Sequence, residues 1–140
     1  MFLCTHNSSR SQMAEGLLRS LYGDLYEVMS TGTEPSGIHP YALRVMKESG
    51  IDISRHYSKS VKDFLNHKFD YVVTVCDKAK EACPFFPGKT KQIHKCFTDP
   101  AVFRGTEKET LKVFRKVRDE IRDWIKNEFR MRPTHEEEIC

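Results

Sequence analysis

No stretch of this chain approaches the length and apolarity of a membrane-spanning helix, so no segment asks to be placed in a bilayer. Nor does the chain open on the regions of a signal peptide, and a leader cleaved there would carry Cys4 away with it. Cys-x-x-Cys pairs are absent. The five cysteines fall at irregular spacings, which argues against a disulfide framework or a zinc site and for free thiols in a reducing compartment, the cytoplasm. Charge of one sign is not concentrated anywhere: 23 Lys and Arg are interleaved with 20 Asp and Glu, for a net +3, so neither nucleic acid nor a membrane surface is an expected partner. Linkers and repeats are missing too, and 140 residues suffice for one unit with a real core. The expectation is a single domain over residues 1–130, a polar, frayed tail at 131–140, and a monomer.

What the chain does have is an alternation of strand-like and helix-like segments. Met1-Phe2-Leu3 is a short apolar strand, and Met13, Ala14, Leu17, Leu18 and Leu21 then recur at helical spacing up to Gly23. Tyr26-Glu27-Val28-Met29-Ser30-Thr31 reads as a second strand closed by Gly32. Pro40 suits the first turn of a helix that runs to Gly50, and Ser60 is placed to cap a short helix carrying Val61, Phe64 and Leu65. Asp70-Tyr71-Val72-Val73-Thr74-Val75 is the clearest strand, apolar enough to be buried on both faces, and Gln92-Ile93-His94-Lys95 is a weaker fourth. Thr106 to about Arg130 predicts a long amphipathic helix with Phe114, Val117, Ile121, Trp124 and Ile125 on one side and paired charges on the other. Strands alternating with helices imply an α/β fold whose parallel sheet is covered on both faces and whose site lies beyond the carboxyl ends of the strands. Cys4 follows the first strand, Cys76 the third and Asp99 the fourth, so all three are expected at one edge.

Cys4 and Arg10 bracket Thr5-His6-Asn7-Ser8-Ser9, a polar loop between strand and helix. Such a turn aims successive backbone N–H groups and the positive end of the helix at one point, where an oxyanion can sit. The same field favours Cys4 as a thiolate. Arg10 adds a forked guanidinium that grips two oxygens of a tetrahedral anion. Ser8, Ser9 and Ser11 each have a hydroxyl to donate to the nearby sulfur. The Cys-x5-Arg spacing alone is weak, since chance supplies it in roughly a third of such chains and a lone strand-end cysteine is usually a small buried hydrophobe. The strand before it and the helix after it supply the discrimination.

Cys76 and Cys83 flank Asp77-Lys78-Ala79-Lys80-Glu81-Ala82, a polar segment long enough for about two helical turns. A buried strand-end residue and an incidental cysteine before Pro84 are the plain alternatives, but a place at the active-site edge favours redox work. His94 and Cys96 would need two more ligands to hold a metal, so no metal site is expected. Cys96 is expected to be a buried hydrophobe, and Cys140 ends the tail.

The sequence resembles the thioredoxin-coupled arsenate reductases built on the low-molecular-weight phosphotyrosine phosphatase fold. The resemblance runs through Cys4 to Gly16, Ser30-Thr31-Gly32-Thr33, His39-Pro40, Gly50-Ile51-Asp52-Ile53-Ser54, Val73-Thr74-Val75-Cys76, Cys83-Pro84, Asp99-Pro100-Ala101, Gly105-Thr106-Glu107 and Val117-Arg118-Asp119-Glu120-Ile121. It implies an α/β three-layer sandwich with a central four-stranded parallel sheet flanked by helices. It also implies reduction of arsenate to arsenite with Cys4 as nucleophile and Asp99 as general acid. Arg10 and the loop residues Thr5, His6, Asn7, Ser8, Ser9 and Ser11 would hold the oxyanion, with phosphate or sulfate as mimics. Cys76 and Cys83 would resolve the adduct by thiol relay, and thioredoxin or a similar dithiol protein would recycle the enzyme. No cofactor and no resident metal are implied.

The first motif is shared with the phosphatases. The alternative is therefore a phosphatase working through a phosphocysteine, with Cys76 and Cys83 as passengers, and a non-catalytic oxyanion sensor is a third reading. Asp99-Pro100 is followed by Ala101-Val102 where the phosphatases carry aromatic residues that stack on a substrate ring, which favours a bare oxyanion and leaves weak phosphatase activity as a side reaction. Three features depart from the pattern. His6 stands where many relatives carry glycine, so the loop must use backbone angles open to a side chain. The strand before Cys4 has only three residues. Lys59 stands where some reductases have an acid that serves a bound potassium ion together with positions matching Asn7, Glu15 and Ser30. Its ammonium either takes the ion's place beside Glu15 or points to solvent.

Overall fold

A computed structural model describes residues 1–129. Strands β1 (Phe2–Cys4), β2 (Ser30–Gly32), β3 (Tyr71–Thr74) and β4 (Lys91–His94) form one parallel sheet in the order β2-β1-β3-β4. Helices α1 (Arg10–Tyr22), α2 (Pro40–Glu48), α3 (Asp77–Glu81) and α4 (Glu107–Phe129) flank it, with 3-10 turns at Val61–Phe64 and Pro100–Val102. The three residues of β1 are enough because β1 is central: it is buried along its whole length and pairs with β2 on one side and β3 on the other. From β1 the chain steps to β2 on one side and then crosses back to β3 on the other. The crevice where oppositely directed connections part therefore lies above the carboxyl ends of β1 and β3, the usual binding position in open parallel sheets.

β2 is shorter than the Tyr26–Thr31 strand the sequence predicts. The amides of Leu25 and Tyr26 are spent on the carbonyl of Tyr22, finishing α1, and the Tyr26 ring packs edge-on against Tyr71 and Phe129. Sheet pairing then starts only where Met29 accepts from the amide of Phe2. The other elements lie within a residue or two of their expected places, the ordinary uncertainty of element ends. α4 opens on a reciprocal cap: Thr106 N donates to Glu109 Oε1 at 2.9 Å and Glu109 N to Thr106 Oγ1 at 3.1 Å. Its apolar face buries Phe114, Val117, Ile121 and Ile125. α1, α2 and α4 pack on one another, and Gly16 permits the approach: a Cβ there would stand 2.8 Å from Ile53 Cγ2 and 2.9 Å from Met46 Cε. Among the described residues no helix is long and apolar enough to cross a membrane. Arg130 and the expected tail at 131–140, Cys140 included, lie outside the described residues.

Candidate active site

β1 ends at Cys4, and the loop that follows turns into α1 at Arg10. The turn needs one left-handed residue, and Asn7 provides it with φ of 51°. Asparagine tolerates that region better than most side chains. His6 is not among the residues with positive φ, and the left-handed position falls one residue later. The loop lies directly on β2 because Gly32 has no side chain: a Cβ there would meet Thr5 O at 2.7 Å and Asn7 N at 2.8 Å. From the other side Ser58 Oγ donates to the carbonyls of His6 and Asn7 at 3.0 and 2.9 Å, and Gln12 Nε2 to that of Asn7 at 3.2 Å.

A chain of hydrogen bonds leads from a buried carboxylate to the Cys4 sulfur. Ser30 Oγ donates to Glu15 Oε1 at 2.6 Å, while Asn7 Nδ2 donates to Ser30 Oγ at 2.9 Å and to Ser11 Oγ at 2.8 Å. Because Ser11 accepts from Asn7, its own proton is free for Cys4 Sγ, 2.8 Å away. The amide of Asn7 faces the same sulfur at 3.2 Å. Hydroxyl and amide together bring two hydrogen-bond donors to a sulfur that is buried from water. Of the three serines expected to serve the sulfur, Ser11 does so; Ser8 and Ser9 line the cavity beyond it, and Ser9 Oγ is buried with no hydrogen-bond partner among the described residues.

Asn7, Glu15 and Ser30, the residues expected to hold a cation or brace the loop, are drawn together, and Lys59 joins them. Its amide donates to Asn7 Oδ1 at 2.8 Å, and its Nζ lies 3.9 Å from Glu15 Oε1, donates to Tyr57 O at 3.0 Å and sits 4.5 Å over the Tyr57 ring. Lys59 is 8% exposed, so the solvent-facing alternative is not what forms. Burial pushes its pKa below the ordinary lysine value, with the Glu15 carboxylate opposing the shift. Arg19 closes the group at 2.7 Å from Glu15 Oε2.

Above the sulfur is a cavity of about 210 Å³ whose walls include Cys4, Ser9, Arg10, His39, Asp99 and Ala101. It is small beside the cavities that take drug-sized ligands and suits a compact anion. Arg10 is held at its rim, donating to Phe97 O at 3.2 Å and standing 3.4 Å from Asp99 Oδ2. Asp99 is itself fixed by the amide of Ala101 at 3.0 Å. His39, from the His39-Pro40 motif, caps the start of α2. Its Nδ1 accepts from the amide of Tyr41 at 3.0 Å, and burial lowers its pKa against the pull of Asp99, so a neutral ring lines the wall. A larger depression of about 550 Å³, lined by Met1, Tyr26, Phe69, Tyr71 and Phe129 among others, opens at the amino ends of the strands, away from these groups.

Cys76, two residues past β3, is buried beside the loop with its Sγ 3.4 Å from Thr5 Oγ1. It joins the Cys4 loop; Cys83 does not. Cys83 lies beyond α3, half-buried, its amide reaching Lys80 O at a long 3.4 Å, and burial raises its thiol pKa. Cys96 corrects the expectation of a buried hydrophobe, since it is exposed. The amides of Lys95 and Phe97 continue the pairing with β3, so Phe97 turns into the core and its neighbour must turn out. Among the described residues all four cysteines are free thiols, and no group of His, Cys, Asp and Glu is arranged to hold a metal ion.

The sequence model of the low molecular weight phosphotyrosine protein phosphatases matches residues 1–131. The chain is 48% identical over 125 residues to the arsenate reductase of Halalkalibacterium halodurans, covering 89% of this chain and 90% of that one. The protein belongs to this family, in its arsenate reductase branch. Solved structures of the branch superpose on it. An arsenate reductase in the phosphate binding state matches with a TM-score of 0.72 at 34% identity, covering 91% of this chain and 92% of that one. A thioredoxin-dependent arsenate reductase of Corynebacterium glutamicum matches with a TM-score of 0.66 at 29% identity, covering 90% of this chain and 59% of that one. The branch shares with the phosphatases a parallel α/β sheet flanked by helices, the architecture found here. Gly32, Gln12, Ser58 and His39 brace the loop or line the cavity, although the sequence motifs do not mark them as site residues. Of these, Gly32 carries a usable signal, standing at a strand end opposite Cys4.

Proposed function

We propose that this protein reduces arsenate to arsenite through Cys4, Cys76 and Cys83, and that a thioredoxin-like dithiol protein recycles it. The observation that carries the reading is Cys76, buried against the anion loop through Thr5 at the end of the strand beside β1. A phosphatase has no use for a second thiol there. The anion enters the cavity between Arg10 and the amides of residues 5–11, and Cys4 Sγ attacks arsenic as Asp99 passes a proton to the departing oxygen, which leaves as water. Cys76 thiolate then attacks the sulfur of Cys4. The S–S bond forms, the S–As bond breaks with its electron pair left on arsenic, and As(V) departs as As(III) in arsenite. Cys83 next attacks Cys76, releasing Cys4 as thiolate, and the dithiol partner reduces the Cys76–Cys83 disulfide.

Selection against phosphate lies in this second step, because phosphorus does not accept the electron pair. Slow aryl phosphate hydrolysis follows from Cys4, Arg10 and Asp99 alone. Residues 1–130 serve as one catalytic unit acting as a monomer in the cytoplasm, with arsenate as substrate and phosphate or sulfate as mimics. Purified protein with thioredoxin, its reductase and NADPH should consume NADPH only when arsenate is added. Hydrolysis of an aryl phosphate without arsenate-dependent NADPH consumption would assign it to the phosphatases instead.

A further inference from the structure

Three polar side chains outside the anion cavity form a continuous bridge from the sheet to the relay helix. Thr74 and His94, the last residues of β3 and β4, are register partners, with Thr74 Oγ1 2.8 Å from His94 Nδ1. His94 Nε2 in turn lies 2.8 Å from Oδ1 of Asp77, the first residue of α3 and the one that follows Cys76. A neutral imidazole satisfies the whole bridge: the threonine hydroxyl donates to Nδ1 and Nε2–H donates to the carboxylate. The geometry points to His94 as a positioning residue that acts through Asp77 to keep Cys76 aimed at Cys4 while Cys83 travels. This rests on the arsenate reductase reading.

The reason lies in how little else holds α3. It has five residues, far too few to be stable alone. Its one buried residue is Ala79. Cys76 is extended, with φ −148° and ψ 157°, so the direction of its sulfur depends on the residue on either side. Val75 is fully buried with its amide on Leu3 O, whereas Asp77 is three-quarters exposed and has the His94 bridge. The other end of α3 is held less closely: Cys83 N reaches Lys80 O at 3.4 Å, Phe85 is 86% exposed, and the chain is next anchored in the core at Phe86.

The chemistry needs that asymmetry. Cys76 must meet the Cys4 sulfur in line with the S–As bond, where small misplacements are costly in rate. Afterwards Cys83 must approach Cys76 to within disulfide distance, although the five residues of α3 and Ala82 stand between them and seven steps at the helical rise span roughly 10 Å. α3 therefore has to unwind, and a bridge at its first residue makes it unwind from the Cys83 end. Cys76 stays where Cys4 can reach it.

The test uses Cys83→Ser protein, in which the relay stops at the Cys4–Cys76 disulfide. With arsenate added, disulfide formation is followed by rapid quench and peptide mapping, with and without His94→Ala. Aryl phosphate hydrolysis, which has no use for Cys76, and exchange of the Lys80 and Ala82 amides are measured beside it. His94→Ala should slow the disulfide step about tenfold, the loss expected for one well-placed hydrogen bond, and leave aryl phosphate hydrolysis within about twofold. His94→Gln, whose amide both accepts and donates, should recover most of the rate, and both amides should exchange faster in the alanine variant. An unchanged disulfide rate overturns the proposal, and so does an equal loss of aryl phosphate hydrolysis. If the Cys83→Ser parent forms no arsenate-dependent disulfide, the reductase reading fails; unchanged amide exchange in His94→Ala then rejects the bridge on its own account.

Discussion

Ser11→Ala removes one hydroxyl and isolates what the buried hydrogen-bond chain does for the nucleophile. In the native site Ser11 Oγ accepts from Asn7 Nδ2 at 2.8 Å and offers its proton to Cys4 Sγ at 2.8 Å. A hydrogen bond to a charged partner contributes about 1.5–3 kcal/mol, which converts to a rate loss of about 10- to 150-fold. Sulfur is a soft acceptor and the Asn7 amide remains at 3.2 Å, so the lower half of that range is expected. The loss should fall on kcat. Whether attack by the thiolate or its release from the adduct is slow, the hydroxyl steadies charge on the same sulfur. Phosphate affinity should change less than about threefold, because the Arg10 fork and the loop amides are untouched. Asn7 Nδ2 keeps Ser30 Oγ at 2.9 Å, so stability should fall by only about 1 kcal/mol, a few degrees in Tm. Steady-state hydrolysis of an aryl phosphate, single-turnover reaction with arsenate and phosphate titration separate these effects. Unchanged kcat in both reactions, or a loss confined to phosphate affinity, would refute the argument that Ser11 serves the sulfur.

Cys76→Ser and Cys83→Ser should each abolish multiple turnover of arsenate while sparing aryl phosphate hydrolysis; sustained arsenate turnover by Cys83→Ser with thioredoxin would make Cys83 a passenger. Gly32→Ala sets a methyl 2.7 Å from Thr5 O and 2.8 Å from Asn7 N, so the loop must move. It should cost about 1–3 kcal/mol of stability and at least about tenfold in phosphate affinity, and near-native affinity by calorimetry would show that the loop has slack. Exchanging sodium for potassium at equal ionic strength should leave the native Tm and kcat/KM unchanged, since Lys59 already supplies the cation beside Glu15. Lys59→Asp should melt lower in sodium and recover partly in potassium, whereas a potassium-specific gain in the native protein would mean that Lys59 leaves a cation site open.

Elements with strong periodicity were legible from the sequence for plain reasons. β3 is β-branched and apolar because both its faces are covered, and α4 shows its buried stripe because it packs against α1 and α2 along its length. Hydropathy overextends β2 because Tyr26 and Val28 are apolar for another cause: they pack on the core from a loop whose first amides, those of Leu25 and Tyr26, are bonded to α1. Hydropathy registers burial, and it cannot tell a strand from an apolar loop lying on the same core. Cys96 failed in the opposite sense. A cysteine beside a strand is usually inside, but the alternation of the chain gave the inside position to Phe97.

The candidate site divides along the same line. Cys4, Arg10, Cys76 and Asp99 could be placed because a parallel sheet sends every strand end to one edge, so order along the chain alone predicts who meets. Which serine serves the sulfur could not be read, since all three hydroxyls are near in sequence and the choice is made by Asn7, whose left-handed turn brings its amide group onto Ser11 and Ser30 together. Lys59 meets Glu15, and His94 meets Asp77, through pairings that depend on where two separate segments cross. These are contacts of the support and not of the chemistry. A reactive residue announces itself by its type at a strand end, while a residue that holds it in place is an ordinary lysine or histidine until the fold shows what it touches. The supports are therefore where a chain can change without losing the motif, and Lys59, set between Asn7 and Glu15, is such a support.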